Sequence, residues 1–207
     1  AWRAGITGRV KIGSAVLILP YRAALPTAKQ IATIQELSGG RLVMGLGVGW
    51  MDPEFVALGV NRRARGRISD ETLAFFNNCF AQDEVEVNGQ AFLFKPRPEK
   101  PPFLIGGRAP HALERAAKYG DGWFPVVKGP EDIAAALPTY RALTEAVNRP
   151  PGNITISTRL PLEDRSRTRT LCDQYRSFGV DRLVCGLSYH SIEAFQDQLE
   201  TLHRALS

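Results

Sequence analysis

The chain alternates short, nearly continuous apolar runs with longer segments whose apolar residues recur at helical spacing. KIGSAVLILP (11–20) is an apolar run ended by proline and predicts a strand. In TAKQIATIQEL (27–37), Ala28, Ile31, Ala32, Ile34 and Leu37 fall near one face of a helix that the following SGG stops. RLVMGLGVG (41–49) predicts the next strand, and DPEFVALG the start of a helix with an acidic cap and an early proline. ISDETLAFFNNCF (68–80) predicts another helix, with Ser69 and Asp70 as candidate caps. EVEVNGQAFLF (84–94) breaks this rhythm: two alternating runs flank Asn88-Gly89, a dipeptide suited to the left-handed backbone of a tight hairpin turn.

After the proline-rich KPRPEKPP the alternation resumes. FLIGG (103–107) predicts a strand running into APHALERAAKYG, a helix opened by Pro110 and closed by Gly120. DGWFPVV (121–127) predicts a strand, and PEDIAAALPTYRALTEAVN (130–148) a helix that Pro138 kinks or divides. NITISTRLP (153–161), DRSRTRTLCDQYRSFG (164–179), DRLVCGLS (181–188) and SIEAFQDQLETLHRAL (191–206) add strand, helix, strand and helix. Six successive strand-and-helix units predict an α/β fold with a parallel sheet covered by helices, either doubly wound or closed as a (β/α)8 barrel. A closed barrel takes eight strands. Residues 1–9, AWRAGITGR, read as the end of a helix before a strand, so about two units are expected to be absent at the start, unless the sheet is open.

Composition narrows the partners. The 207 residues are 44% hydrophobic and 23% charged, which is globular, and a single domain over 1–207 is expected. No apolar run reaches the roughly 20 residues that cross a bilayer, and the N-terminus lacks the pattern of a secretory signal. The expectation is a cytoplasmic protein with no membrane partner. Three cysteines, Cys79, Cys172 and Cys185, without CxxC spacing, speak against a disulfide framework and a zinc site. The net charge of +5 raises the question of nucleic acid. Only six of the 26 basic residues are lysines, and the arginines of NRRARGR and EDRSRTRT lack interleaved aromatics that would stack on bases. Most of them read as solvated surface, with a gathering of arginines around an anionic small ligand as the weaker alternative, and no nucleic-acid partner is expected.

The stretch GSAVLILPYRAALPTAKQIATIQELSGGRLVMGLGVGWMDPEFVALGV resembles the luciferase-like monooxygenase family of flavin- and deazaflavin-dependent oxidoreductases. The likeness lies in a strand ending in Leu-Pro, a helix with an AK-x-x-AT core, SGGR, a Gly-x-Gly-x-Gly strand and an acidic-x-x-Phe segment. It continues through RARGRISDE, NGQAFLF and PPFLIGGRAPHALERAAKYGDGWFP, covers most of residues 10 to 127, and is nearest to the branch that uses coenzyme F420.

The resemblance implies a (β/α)8 TIM barrel with Lys11 to Leu19 as its third strand, so that the first two strands are missing. It also implies an oxidoreductase or monooxygenase that uses coenzyme F420, or alternatively FMN, on a small organic substrate. Gly45, Gly47 and Gly49, with Val48 among them, would let a planar ring approach the backbone at the barrel mouth; the alternative use of these glycines is close strand packing in the barrel interior. Ala15-Val16 corresponds to a strand bulge that in relatives often carries a non-proline cis peptide behind the ring. Gly106, Gly107, Arg108 and Ala109, at a strand end before a helix, would hold the cofactor phosphate on free backbone N–H groups and a guanidinium.

No catalytic side chain follows from this reading. His111, His190 and His203 fit solvated or capping roles, with His190 the nearest to an exception at a strand end. Trp123 fits the core, and Arg67 and Asp70 a structural ion-paired helix start. A partial barrel exposes strand edges, so a homo-oligomer, a dimer, is expected. The alternative is a non-catalytic flavin- or deazaflavin-binding protein, or a barrel fragment completed by a partner chain.

Overall fold

The computed structural model describes residues 1–206. Helix α1 (Trp2–Ile6) leads into β1 (Ile12–Ile18), α2 (Ala24–Leu37), β2 (Leu42–Gly47), α3 (Asp52–Ala57) and α4 (Arg65–Ala81). A hairpin of β3 (Glu84–Val87) and β4 (Gln90–Leu93) follows. The alternation returns with β5 (Phe103–Gly106), α5 (His111–Tyr119), β6 (Gly122–Phe124), α6 (Pro130–Ala146), β7 (Asn153–Thr158), α7 (Arg165–Ser177), β8 (Arg182–Cys185) and α8 (Ile192–Leu206).

Strands β1, β2, β5, β6, β7 and β8 form one parallel sheet in that spatial order. Neighbours in space are neighbours in sequence once the hairpin is set aside, so the order has no switch point and the doubly wound alternative falls. The sheet curls into a six-stranded half-barrel, an incomplete (β/α)8 barrel, in which residues of all six strands line one concavity of about 270 Å³. The β3–β4 hairpin stands apart and turns at Asn88 and Gly89, both at positive φ (52° and 73°), as their dipeptide predicts.

The strands' period of two divides their side chains between two environments. Leu42, Met44, Leu46, Phe103, Ile105, Trp123, Ile154 and Ile156 face the helices and join Ile31, Leu73, Phe76, Leu113, Ile133 and Tyr140 in one core. The intervening residues face the concavity. Register is pinned from below by two aspartates that play the same part: Asp121 Oδ2 accepts the N–H of Phe103 at 2.9 Å, and Asp181 Oδ2 that of Ile154 at 2.8 Å. Each sits just before its own strand and anchors the first residues of the preceding one. Arg41, the arginine of SGGR, donates to the carbonyls of Ala4, Thr7, Val10 and Ser38 and ties the N-terminal turn to β2.

Three local expectations are corrected. Ser69 and Asp70 do not cap α4, which starts four residues earlier, at Arg65; Ser69 Oγ donates to the Arg65 carbonyl inside the helix, and Asp70 pairs with Arg115. The regular ladder of β6 ends at Phe124, since Pro125 has no N–H to give it, and only Val126 beyond it still bridges Ser157 of β7. Pro138 does not divide α6; burial of Ile133, Leu137, Tyr140 and Thr144 along one face carries the helix past it, against a cost of about 3 kcal/mol. Asp164 caps α7, accepting from the N–H of Arg167 at 2.9 Å.

Candidate functional site

The C-terminal ends of the strands gather most of the residues singled out from the sequence. In β1 the pairing with β2 shifts register between Ser14 and Leu17, and the peptide bond between Ala15 and Val16 is cis, as the family resemblance implies. The bulge leaves Ala15 exposed and Val16 39% exposed, and Ser14 Oγ holds it to β2 by donating to the Gly45 carbonyl at 2.8 Å. Val16 lies across both neighbouring glycines: a Cβ on Gly47 would stand 2.6 Å from its Cγ2, and one on Gly106 would stand 3.1 Å from its Cγ1. A Cβ on Gly45 would overlap the Ser14 carbonyl oxygen and meet the Phe124 ring at 3.0 Å. At Gly49, φ is +75° and a Cβ would lie 2.9 Å from both Ile18 and Phe55.

The side-chain directions of the three spaced glycines are therefore filled by the chain itself and are not open to a ring. Their smallness lets the bulged β1 seat on β2 and lets Val16 reach over to β5. The surface turned toward the mouth is then made by Ala15, Val16 and Gly106 together.

The turn after β5 has a different character. Gly107 adopts φ +126°, a conformation that side chains rarely take, and Gly107, Arg108 and Ala109 are all exposed. Among the described residues, no group of the chain accepts from the N–H of Arg108 or Ala109. The Gly107 carbonyl turns the other way and accepts from the buried indole Nε1 of Trp123 at 3.0 Å. Helix α5 begins at His111, directly after the turn and a cis Ala109–Pro110 bond. Free N–H groups, a guanidinium and a helix N-terminus form a donor set suited to an anion. On the helix side of the turn, Arg108 and Ala109 border a cavity of about 290 Å³ with Trp123, Pro125, Val127, Asp132 and Ala136.

A larger cavity, about 580 Å³, opens on the other side of the turn between α4 and α5. Val48 at the end of β2 lines it with Arg63, Arg65, Arg67, Asp70, Glu71, His111 and Arg115. Arg67 pairs with Glu71 at 2.8 Å, and Arg115 with Asp70 at 2.5 Å, which gives Arg67 and Asp70 the ion-paired structural role expected of them. Among the described residues Arg63 and Arg65 have no carboxylate partner. Four arginines thus meet two carboxylates, and the cavity carries excess positive charge. Reading NRRARGR as plain surface misses this. The clustering was a visible signal, but only the approach of α5, with His111 and Arg115, makes a cavity of it.

Other groups define the rim. Tyr21, just beyond β1, donates its hydroxyl to Glu54 at 2.8 Å and packs edge-on against Phe55. Burial, reinforced by the Glu54 carboxylate, pushes its pKa up to about 12, so it stays a neutral donor at physiological pH. His111 is exposed, within 3.3 Å of Glu114, and His190 lies exposed beyond β8. Neither histidine reaches Val16 or the turn of Gly107 by any hydrogen bond. No helix among the described residues is long and apolar enough to cross a membrane.

A family model described as luciferase-like monooxygenase matches residues 1–205. An FMNH(2)-dependent dimethylsulfone monooxygenase of Pseudomonas fluorescens (strain Pf0-1) is 32% identical over 149 residues, covering 68% of this chain and 41% of that protein. A 5,10-methylenetetrahydromethanopterin reductase of Methanolobus tindarius is 26% identical over 156 residues, covering 73% of this chain and 48% of its own length. The chain therefore spans about half the length, or less, of these curated relatives. Among solved structures, the monooxygenase RslO1 from Streptomyces bottropensis superposes with a TM-score of 0.80 at 19% identity, over 97% of this chain and 79% of that one. That likeness concerns the fold.

Proposed function

This chain belongs to the luciferase-like monooxygenase family, and from that premise we propose that it binds a deazaflavin or flavin across the mouth of the half-barrel, for hydride transfer to, or monooxygenation of, a small organic substrate. The observation that carries the reading is the turn at Gly107: two exposed backbone N–H groups without partners, beside Arg108 and next to a cavity rich in arginine. That donor set fits the phosphate of such a cofactor. Ala15, Val16 and Gly106 form the surface that backs the ring; Gly45 and Gly47 act behind it by seating the bulge, and Gly49 by admitting Ile18 and Phe55. Val48 links the strand ends to the arginine cavity. When bound, the cofactor supplies the hydride or oxygen-transfer chemistry. The chain's own residues bind and orient it: the N–H groups of Arg108 and Ala109 hold the anionic end, and Val16 fixes the height of the ring above the sheet.

Coenzyme F420 is the first choice of cofactor. Its anionic tail continues beyond the phosphate, and Arg63 and Arg65, free of carboxylate partners, offer that tail positive charge. FMN is the second reading, favoured by the relative whose name states FMNH(2) dependence. Titration of the chain with each cofactor at physiological salt, followed by an assay of cofactor reduction, tests the proposal. Saturable F420 binding that weakens as salt is raised is the expected result. FMN binding at least tenfold tighter, about 1.4 kcal/mol, would reverse the choice of cofactor. Failure of both to bind sinks the proposal, and binding of either without turnover leaves a carrier in place of an enzyme.

A further inference from the structure

The indole of Trp123 is 2% exposed and belongs to the core between the sheet and its helices, tilted against Tyr140 at 6.0 Å. On β6 it stands opposite Ile105 of β5, yet its Nε1 reaches past the end of that strand to the Gly107 carbonyl at 3.0 Å. A buried indole N–H needs an acceptor, and this carbonyl is its hydrogen-bond partner. The bond carries a geometric consequence. The Gly107–Arg108 peptide is trans, and in a trans peptide the carbonyl and the N–H point in opposite directions. With the carbonyl held toward the helix-side core, the N–H of Arg108 is turned away from it, toward the exposed side. Gly107 at φ +126° has no side chain to restrict rotation of that peptide plane, so the indole supplies the restraint the glycine lacks. Accepting a hydrogen bond also polarises the amide and strengthens its N–H as a donor.

We infer that Trp123 is a positioning residue: through the Gly107 carbonyl it aims and strengthens the Arg108 N–H that receives the cofactor's phosphate. The inference rests on the phosphate reading of this turn given above and adds to it the side chain that sets the turn's specificity for an anion. Its effect on the phosphate passes through that carbonyl.

The test compares ligands that differ only beyond the ring and its ribityl chain: FMN against riboflavin, and F420 against its phosphate-free deazaflavin core. Dissociation constants are measured for the wild-type chain, for Trp123→Phe, and for Trp123→β-(3-benzothienyl)alanine, in which sulfur replaces the indole N–H at nearly constant shape. Tyr140→Leu, which loosens the same aromatic pair without touching the hydrogen bond, serves as the packing control. In both Trp123 variants the advantage of the phosphorylated ligand is expected to fall about tenfold, the scale of one charge-assisted hydrogen bond, while affinity for the phosphate-free ligand stays within about twofold. Tyr140→Leu is expected to lower the unfolding temperature and keep the advantage. An advantage left intact in the benzothienyl variant, or an equal loss for both ligands in it, overturns the inference and leaves the phosphate site standing. A wild-type chain that binds riboflavin as tightly as FMN, and the bare core as tightly as F420, removes the phosphate site and the inference with it.

Discussion

The two faces of the six-stranded sheet are built from the same strands, residue by residue in alternation, and serve opposite ends. The helix-facing set, Leu46, Phe103, Ile105 and Ile156 among them, is large, apolar and at most 5% exposed. The concave set runs Gly13, Val43, Gly45, Leu104, Phe124, Thr155, Arg182 and Val184. Its centre is buried, whereas its flanks on β1 and β8 remain open. The interior of a closed barrel is packed with layers of bulky branched residues, and here small and polar residues occupy many of those places. Close packing tolerates little change of volume, so the helix-facing side specifies the fold. The other side leaves room for something that is not part of the sheet.

The sharpest way to break this comparison is to truncate a residue on each face. Phe103→Ala, on the helix side where the ring meets Phe76 and Phe80 edge-on, is expected to cost about 3–5 kcal/mol of unfolding free energy, read from urea midpoints. A loss below about 1 kcal/mol would show that this face does not carry the fold. At the mouth the effect moves from stability to binding. Arg108→Glu places a carboxylate beside the proposed phosphate seat on an exposed residue. Cofactor affinity is expected to fall at least tenfold while stability changes by no more than about 0.5 kcal/mol; calorimetry and thermal melting separate the two. Gly107 is a poorer place for that test, since any side chain at φ +126° strains the backbone and lowers stability and binding together.

A smaller effect is expected on the concave flank. Val184→Ala, half-buried on the open edge strand β8, is expected to cost less than about 1.5 kcal/mol, because its surroundings are open enough to need little repacking. A loss as large as that of Phe103→Ala would mean the flank is packed in solution, by the chain or by a second copy. The smallest effect concerns the thiols. Burial in the helix-side core pushes the pKa of Cys79 up to about 11, so its neutral thiol is the form the fold favours. That preference is fully present at neutral pH and is lost only as pH climbs through that value. At pH 8 about one in a thousand of these thiols is ionised, and iodoacetamide should label the half-buried Cys185 well before Cys79 in the folded chain. Peptide mapping of labelled protein would reveal the reverse order if the core opens easily.

Much of this architecture was legible along the chain because it rests on local periodicities. Apolar runs bounded by proline and glycine gave six strands, helical spacing gave the helices between them, and Asn88-Gly89 marked the hairpin. Element ends were read less well. The caps assigned to Ser69 and Asp70 failed because α4 extends back through Arg65, Gly66 and Arg67, a segment whose polar surface hides its helical start. The bulge at Ala15-Val16 was reached by likeness to a family, since no local rule marks it in an otherwise ordinary apolar strand.

The candidate site divides along the same line. The Gly106–Ala109 turn is recognisable from the sequence because a Gly-Gly pair between strand and helix has a local conformational meaning. What faces Gly45, Gly47 and Gly49 was a matter of tertiary structure: whether a glycine leaves a vacancy or admits a neighbour depends on the strand beside it, and Ser14, Val16 and Phe55 fill that space. The arginine cavity depends on α4 and α5 meeting across 45 residues of sequence through Asp70 and Arg115. The reach of Trp123 to Gly107 depends on the register of β5 against β6. Periodicity and turn chemistry are properties of a few consecutive residues, so the sequence alone determines them. Contacts between distant segments arise only when packing brings those segments together, and it is there that the shape and charge of the mouth were decided.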